Sequence, residues 1–283
     1  MEAETSAKVN HPCDLCGSII SRPIKAALPY IGEEDPPVIC WDCGFVYVIQ
    51  RRSSEEIARA WDDIWWGEGY SSKWPAVVAR QHYVAEWCDQ MFGWADKFVL
   101  DVGAGEGHFL DILRADYGVP RQWARGIDPD PKHCVDVGSW IAEATIESFD
   151  TANLFNVITI LWTLENCGDC IGMLKKAKSL LKPGGMVVVA TGSRILVPFK
   201  KPLGSYFSDN PADTHCFRFS ANTLRAAFSI AGLPDTQTNQ FLDSDWLVCA
   251  GRAGEGPVTA LPKPYDHPAM VEDFFEDWRR LWP

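Results

Sequence analysis

The stretch "VLDVGAGEGHFLDIL", residues 99–113, holds the residues best suited to chemistry. A strand-like run reaches Asp101 and passes into Gly103, Gly105 and Gly107. Glycine at a strand-to-helix turn permits positive φ and removes the Cβ that would keep a ligand away. Three ligand classes use such a bend: a dinucleotide, a nucleotide phosphate and an adenosyl group. A dinucleotide fingerprint needs a glycine where this chain has His108. A phosphate loop ends in Gly-Lys-Ser/Thr, and neither Lys nor a hydroxyl follows Gly107. What remains, Asp-x-Gly-x-Gly-x-Gly, sets a carboxylate where a cationic arm of the ligand would lie. S-adenosylmethionine (SAM) carries such a cation.

A second constellation is made of thiols. "CDLCG" at 13–17 and "CWDCG" at 40–44 place Cys13, Cys16, Cys40 and Cys43 in two Cys-x-x-Cys pairs. Four thiolates at this spacing can surround one tetrahedral Zn²⁺. Four protein ligands leave no open position, so the zinc is read as structural, supplying folding energy that a short segment with a weak core lacks. The third pair, "CGDC" at 167–170, has no partner pair nearby and reads as a helix start with Asp169 near its cap.

The third candidate region is "GSRILVPFKKPLGSYFSDNPADTHCFRFS", residues 192–220. It is long for a connection after a strand, and loops at the carboxyl edge of a parallel sheet usually build the substrate site. His215 is the first candidate for a general base and Tyr206 the second. Arg194, Lys200, Lys201 and Arg218 either hold a phosphate or carboxylate of the substrate or solvate the loop.

These residues need a scaffold. Apolar runs at 98–102, 123–127, 155–161 and 186–190 alternate with helical patterns near 106–116, 132–138 and 170–181. Such alternation predicts a parallel sheet covered on both faces. "LKPGG" at 181–185 should end the third of these helices, and "FSANTLRAAFSIAGL" should give a Ser-capped helix ending at Gly232. Segments 236–242 and 245–250 then form a late antiparallel hairpin. Upstream, "SSEEIARAWDDIW" opens with a capping box, and Tyr83, Val84, Trp87, Cys88 and Met91 recur at helical spacing. The aromatic stretch "WWGEGYSSKW" packs between the thiol unit and the main domain, or else Tyr70 caps the cofactor. At the other end, Phe274, Trp278 and Leu281 share a helix face that docks on the body or on a second subunit, as in a homodimer.

Composition narrows the partners. The 283 residues are 47% apolar, enough for a substantial core. Lys and Arg number 26 against 38 Asp and Glu, a net charge of −12 that repels polyphosphate and disfavours a nucleic-acid substrate. No apolar run reaches the ~20 residues of a membrane span, and the amino terminus lacks an export-signal pattern, so a cytoplasmic protein is expected.

In order along the chain, "VLDVGAGEGHFL", "RGIDPD", "FNVITILWTLEN" and "LLKPGGMVVVAT", with the paired "CDLCG…CWDCG", resemble a class I SAM-dependent methyltransferase with an amino-terminal zinc-binding domain. The fold this implies is α/β: a Rossmann-like, mostly parallel sheet with a late antiparallel hairpin, preceded by a small zinc-ribbon-like domain. The implied organisation is a zinc domain over 11–50, a helical connector or cofactor lid over 51–95, a SAM-binding domain over 96–252, and a linker with terminal helix over 253–283. By the same resemblance Gly103, Ala104, Gly105 and Gly107 line the cofactor, Asp101 meets its ammonium and Asp128 accepts both ribose hydroxyls. Ile127 and Pro129 flank the adenine, Glu147 touches its edge, and Leu161 borders it from the fourth strand. Related proteins often carry Glu-His after that strand; this chain has Glu165–Asn166, which leaves Glu165 as a candidate without the histidine.

The zinc-plus-methyltransferase layout is similar to that of sugar methyltransferases. The expected acceptor is therefore a small polar molecule, a sugar or a nucleotide-sugar or polysaccharide precursor. The sugar C-methyltransferases of this layout carry a further large carboxyl-terminal domain, so oxygen or nitrogen stands beside carbon as the methylated atom. A scaffolding protein that engages a protein partner through the zinc unit and terminal helix is the alternative from another class. A nicotinamide oxidoreductase is disfavoured by His108.

Overall fold

Each Cys-x-x-Cys-Gly pair closes a tight turn in which the glycine is left-handed, with φ of 73° at Gly17 and 79° at Gly44. The backbone N–H of Gly17 donates to the Cys13 carbonyl and that of Gly44 to the Cys40 carbonyl, at 2.7 and 2.9 Å. A computed structural model of the chain describes residues 9–31, 36–51, 74–130, 140–208, 215–240, 246–254 and 261–283. In the thiol unit, β1 (Val9–Asn10) pairs with β5 (Gln50–Arg51), while β2 (Ser21–Pro23), β3 (Val38–Cys40) and β4 (Val46–Tyr47) form an antiparallel sheet. The short helix α1 (Leu28–Ile31) lies between β2 and β3 in sequence.

The main body is a seven-stranded sheet. Its strands are β6 (Val99–Val102), β7 (Ala124–Asp128), β8 (Ile141–Glu143), β9 (Phe155–Leu161), β10 (Leu181–Thr191), β12 (Asp235–Thr238) and β13 (Leu247–Arg252), in the order β12-β13-β10-β9-β6-β7-β8. Pairs from β8 to β10 are parallel, and the last two strands are antiparallel. Alternate residues face opposite sides, as strand geometry requires. Leu100, Ile158, Val187 and Val189 join one core with α4 (Cys170–Ser179) and α6 (Ala221–Ile230). Val99, Val157, Val188 and Val248 join the other with α2 (Trp74–Phe92) and α3 (His108–Tyr117). The mostly parallel α/β sheet with its late antiparallel pair is thus as the sequence indicates.

Several boundaries differ for physical reasons. Strand β8 was hidden because two of its three side chains are exposed, leaving no apolar run. The helix expected to reach 181 stops at Ser179; Leu181 already pairs with Phe155 and Met186 with Val157, so "KPGG" is a bulge within β10. Asp169 caps α4, accepting the Gly172 N–H at 2.8 Å. Ser220 caps α6 in a reciprocal box with Thr223. The helix expected at 132–138, the "SSEEIARAWDDIW" capping box and Tyr70 lie outside the described residues.

The insertion after β10 does not stand apart from the thiol unit. Its strand β11 (Phe217–Arg218) pairs antiparallel with β4 and completes a four-stranded sheet, β11-β4-β3-β2. Phe45 packs on Tyr47, Phe217 and Phe219 with ring centroids 5.4–6.1 Å apart. Buried Arg51 ties the unit to the body: it grips Asp14 with both terminal nitrogens (2.6 and 2.8 Å), donates to the Gly168 carbonyl (2.8 Å) and lies over the Phe217 ring. Helix α5 (Leu203–Ser208) of the insertion packs with the terminal helix α7 (Pro268–Leu281). That helix docks on the body through Val271, Phe275 and Trp278; Phe274 is half-buried, and Leu281, expected on the packed face, is 65% exposed as the last residue of the helix.

Candidate functional site

The carboxyl ends of β6, β7, β9 and β10 bring the candidates together, as a switch in strand order on either side of β6 opens a crevice there. Gly103 (φ 71°), Gly105 (φ 53°) and Gly107 (φ 81°) are all left-handed. They serve different ends. A Cβ on Gly103 would strike the Thr163 side chain, so this glycine lets the bend close on the loop after β9. A Cβ on Gly105 would meet nothing within 4 Å, which marks an open cradle. Gly107 caps α3, whose first-turn N–H groups point toward the bend. Ala104 is buried against Gly126, where any Cβ would lie 2.7 Å from its methyl carbon.

Two carboxylates frame the bend. Asp128 ends β7, 6% exposed, and its Oδ2 accepts the Gly105 N–H at 2.8 Å while Oδ1 accepts the Asp130 N–H at 3.0 Å. Asp101 is 3% exposed and accepts the Thr159 hydroxyl at 2.6 Å. Burial raises its pKa to about 7; the Thr159 hydrogen bond opposes this and the Asp128 charge adds to it. A buried carboxyl that is costly to ionise alone gains most from a cation placed against it. Pro129 is half-buried, Leu161 and Ile127 are buried, and Glu147 is exposed on the turn after β8. An adenosyl ligand with an ammonium arm fits this donor and acceptor set: Asp101 for the ammonium, the open Gly105 cradle for close approach, Asp128 for hydroxyls. The group supplies an electrophilic methyl on a sulfonium centre.

The loop after β9 adds a third carboxylate. Glu165 is 1% exposed, its Oε1 accepts the Gly192 N–H at 3.1 Å, and burial raises its pKa. Neighbouring Asn166 donates to the Trp162 carbonyl at 3.1 Å, and Arg80 of α2 stacks 4.1 Å over the Trp162 ring. Glu165 thus anchors the start of the insertion. Ser193, next in the chain after Gly192, touches both other candidates: its Oγ lies 2.6 Å from His215 Nδ1, and its carbonyl accepts the Tyr206 hydroxyl at 3.4 Å. His215 has its pKa lowered to about 3, chiefly by burial and then by the charges of Arg218 and Lys201. Tyr206 is buried against Phe207 and Trp278. Arg194 and Arg218 are buried too, donating to the Trp246 and His215 carbonyls, at 3.2 Å each.

The four thiols, too, fit a metal ion. The four sulfur atoms of Cys13, Cys16, Cys40 and Cys43 lie within 4.8 Å of one another, with Cys13–Cys43 at 3.5 Å and Cys16–Cys40 at 3.4 Å. Cys13, Cys40 and Cys43 are buried. Sulfur atoms packed so closely, all four soft donors, match a tetrahedral zinc. Around them, the Asp266 N–H donates to the Cys43 carbonyl, and the Asp266 carboxylate accepts from Ser220 and Asn222. By contrast Cys167 and Cys170 are buried thiols with raised pKa, held in the α4 start. Thr159, Thr163, Ser193 and Asp266 carry no motif in the sequence; each matters through a partner brought from elsewhere in the chain.

Comparison with known proteins agrees with this geometry. The family described as "Methyltransferase domain" matches residues 78–238. Over 148 residues the chain is 29% identical to the ubiquinone biosynthesis O-methyltransferase of Vibrio parahaemolyticus, covering 50% of this chain and 60% of that protein. It is 30% identical over 145 residues to the enzyme of that name from Actinobacillus pleuropneumoniae, covering 47% and 61%. The chain therefore spans about half to three fifths of the length of the curated relatives it matches. A SAM-dependent methyltransferase from Thermotoga maritima superposes with a TM-score of 0.52 at 17% identity, covering 70% of this chain and all of that one. That likeness concerns the fold. Among the described residues no helix is long and apolar enough to cross a membrane. With the family match extending over more than half of the 283 residues, the chain belongs to the methyltransferase-domain family, on a class I sheet.

Proposed function

We propose that the chain transfers a methyl group from SAM to a small polar acceptor, a sugar or a nucleotide-linked or polysaccharide-precursor sugar. The observation that carries the cofactor half is the pairing of an open, left-handed Gly105 with two buried carboxylates, Asp101 and Asp128. In this reading residues 96–252 bind cofactor and acceptor, and residues 11–50 hold a structural zinc. Methyl transfer is an in-line displacement, so the protein's task is to align a nucleophile and exclude water. The sugar is supported by the resemblance of the zinc-plus-methyltransferase layout to sugar methyltransferases and by the cationic insertion. The relatives named O-methyltransferases support oxygen as the methylated atom.

Two experiments test this. Calorimetric titration with SAM, S-adenosylhomocysteine (SAH) and NAD should show binding of the first two; absence of adenosyl binding would leave a scaffolding protein, and binding of NAD an oxidoreductase. Mass spectrometry after incubating labelled SAM with a panel of sugar nucleotides and ubiquinone-biosynthesis intermediates should find label on a sugar. Label on a ubiquinone-biosynthesis intermediate alone would move the acceptor toward the one in the relatives' names.

A further inference from the structure

Ser193 is 1% exposed and fixed on several sides. Its N–H donates to Thr191 Oγ1 at 3.1 Å, and its carbonyl accepts from the Phe219 N–H at 3.0 Å and the Tyr206 hydroxyl at 3.4 Å. Its hydroxyl has one partner among the described residues, His215 Nδ1 at 2.6 Å. A buried hydroxyl proton needs an acceptor, and this ring nitrogen is the one within reach. An imidazole that accepts at Nδ1 carries its proton on Nε2 when it is neutral. Burial, with the nearby charges of Arg218 and Lys201, keeps the ring neutral. No hydrogen-bond partner of Nε2 lies among the described residues.

We infer that Ser193 is a positioning residue that holds His215 as an Nε2–H donor to a carboxylate or phosphate oxygen of the acceptor, in place of a general base. This rests on the proposed methyl-transfer reading for its acceptor, though the tautomer itself does not. Lys201 beside the ring is a donor only, as is the Nε2–H, so an anionic oxygen is the group that complements the pair. The hydroxyl that would receive the methyl must then lose its proton elsewhere or late in the displacement.

Long-range proton–nitrogen correlation spectra of the full-length protein read histidine tautomers directly, with His215→Gln assigning the signal. The expected spectrum shows Nε2 protonated and Nδ1 bare at neutral pH, giving way to a tautomer mixture in Ser193→Ala. Inorganic phosphate and acetate, each titrated through the millimolar range, should shift the His215 signal saturably. A response to phosphate alone would assign a phosphoryl group and to acetate alone a carboxylate, each supporting the inference. A proton on Nδ1, an imidazolium at neutral pH, or indifference to both anions would overturn it. Calorimetry with SAH separates this from the cofactor reading: loss of SAH binding would sink methyl transfer and leave the tautomer result standing.

Discussion

Replacing Asp101 by Asn should make the cofactor-free protein more stable at neutral pH while weakening its hold on SAM. Asp101 has its pKa raised from 3.8 to about 7, first by burial. The native state therefore keeps a proton that the unfolded chain gives up, and stability falls as pH rises between those two values. A shift of about 3 units, at ~1.4 kcal/mol each, amounts to about 4 kcal/mol. That is an upper bound, because relaxation around a buried charge reduces its cost. Urea unfolding of wild type and Asp101→Asn should show no difference of this origin below about pH 4 and a growing advantage for the variant up to about pH 7, then a plateau. Taking the difference removes the common titration of the other carboxylates. The same geometry makes cofactor binding release a proton: SAH calorimetry at about pH 6.5 in buffers of unequal ionisation enthalpy should show it, and Asp101→Asn should abolish it. A stability difference that stays flat across this pH range, or no proton release, would refute the argument that burial holds the proton on Asp101.

The two bend glycines should separate on substitution. Gly103→Ala collides with Thr163 in a left-handed residue and should cost about 2–5 kcal/mol by urea unfolding. Gly105→Ala has room for its methyl and should cost only about 1–2 kcal/mol, its main effect appearing as lost SAH affinity. Arg51→Ala leaves Asp14 buried without its partner and should destabilise by about 3–5 kcal/mol, part of which the paired change Arg51→Met with Asp14→Leu should restore. Stripping zinc with a chelator should speed amide exchange at Phe217 and Phe219 while SAH affinity stays within about threefold, as read by exchange mass spectrometry and calorimetry. Tyr206→Phe removes the long hydrogen bond to the Ser193 carbonyl, a loss that should cost less than about 1 kcal/mol and be visible as a small shift in melting temperature.

Periodicity and glycine placement made the sheet, its two covering layers and the glycine bend readable in the sequence. Apart from Asp101, Asn156 and Thr159, the runs Val99 through Val102, Phe155 through Leu161 and Met186 through Ala190 are apolar on both faces, and a strand covered on both sides announces itself this way. Strand β8 did not, because Ala142 and Glu143 face solvent. The cysteine spacing likewise carried its own meaning. What escaped were partners made by topology: Thr159 on Asp101, Thr163 under Gly103, Ser193 on His215, and β11 on β4. No local pattern encodes a hydroxyl whose partner lies 58 residues away, as for Thr159 and Asp101. Leu281 shows the opposite error, a helical stripe extended one turn past the surface it packs on.

Because β11 is the outer strand of the thiol unit's sheet, that unit cannot be removed as an independent module. Deleting it would bare the backbone edge of Phe217–Arg218 and the faces of Phe217 and Phe219, next to the loop that carries His215. An unpaired apolar strand edge recruits other chains. A shortened protein would therefore self-associate, and grafting this sheet onto another methyltransferase core would succeed only if the returning strand travelled with it.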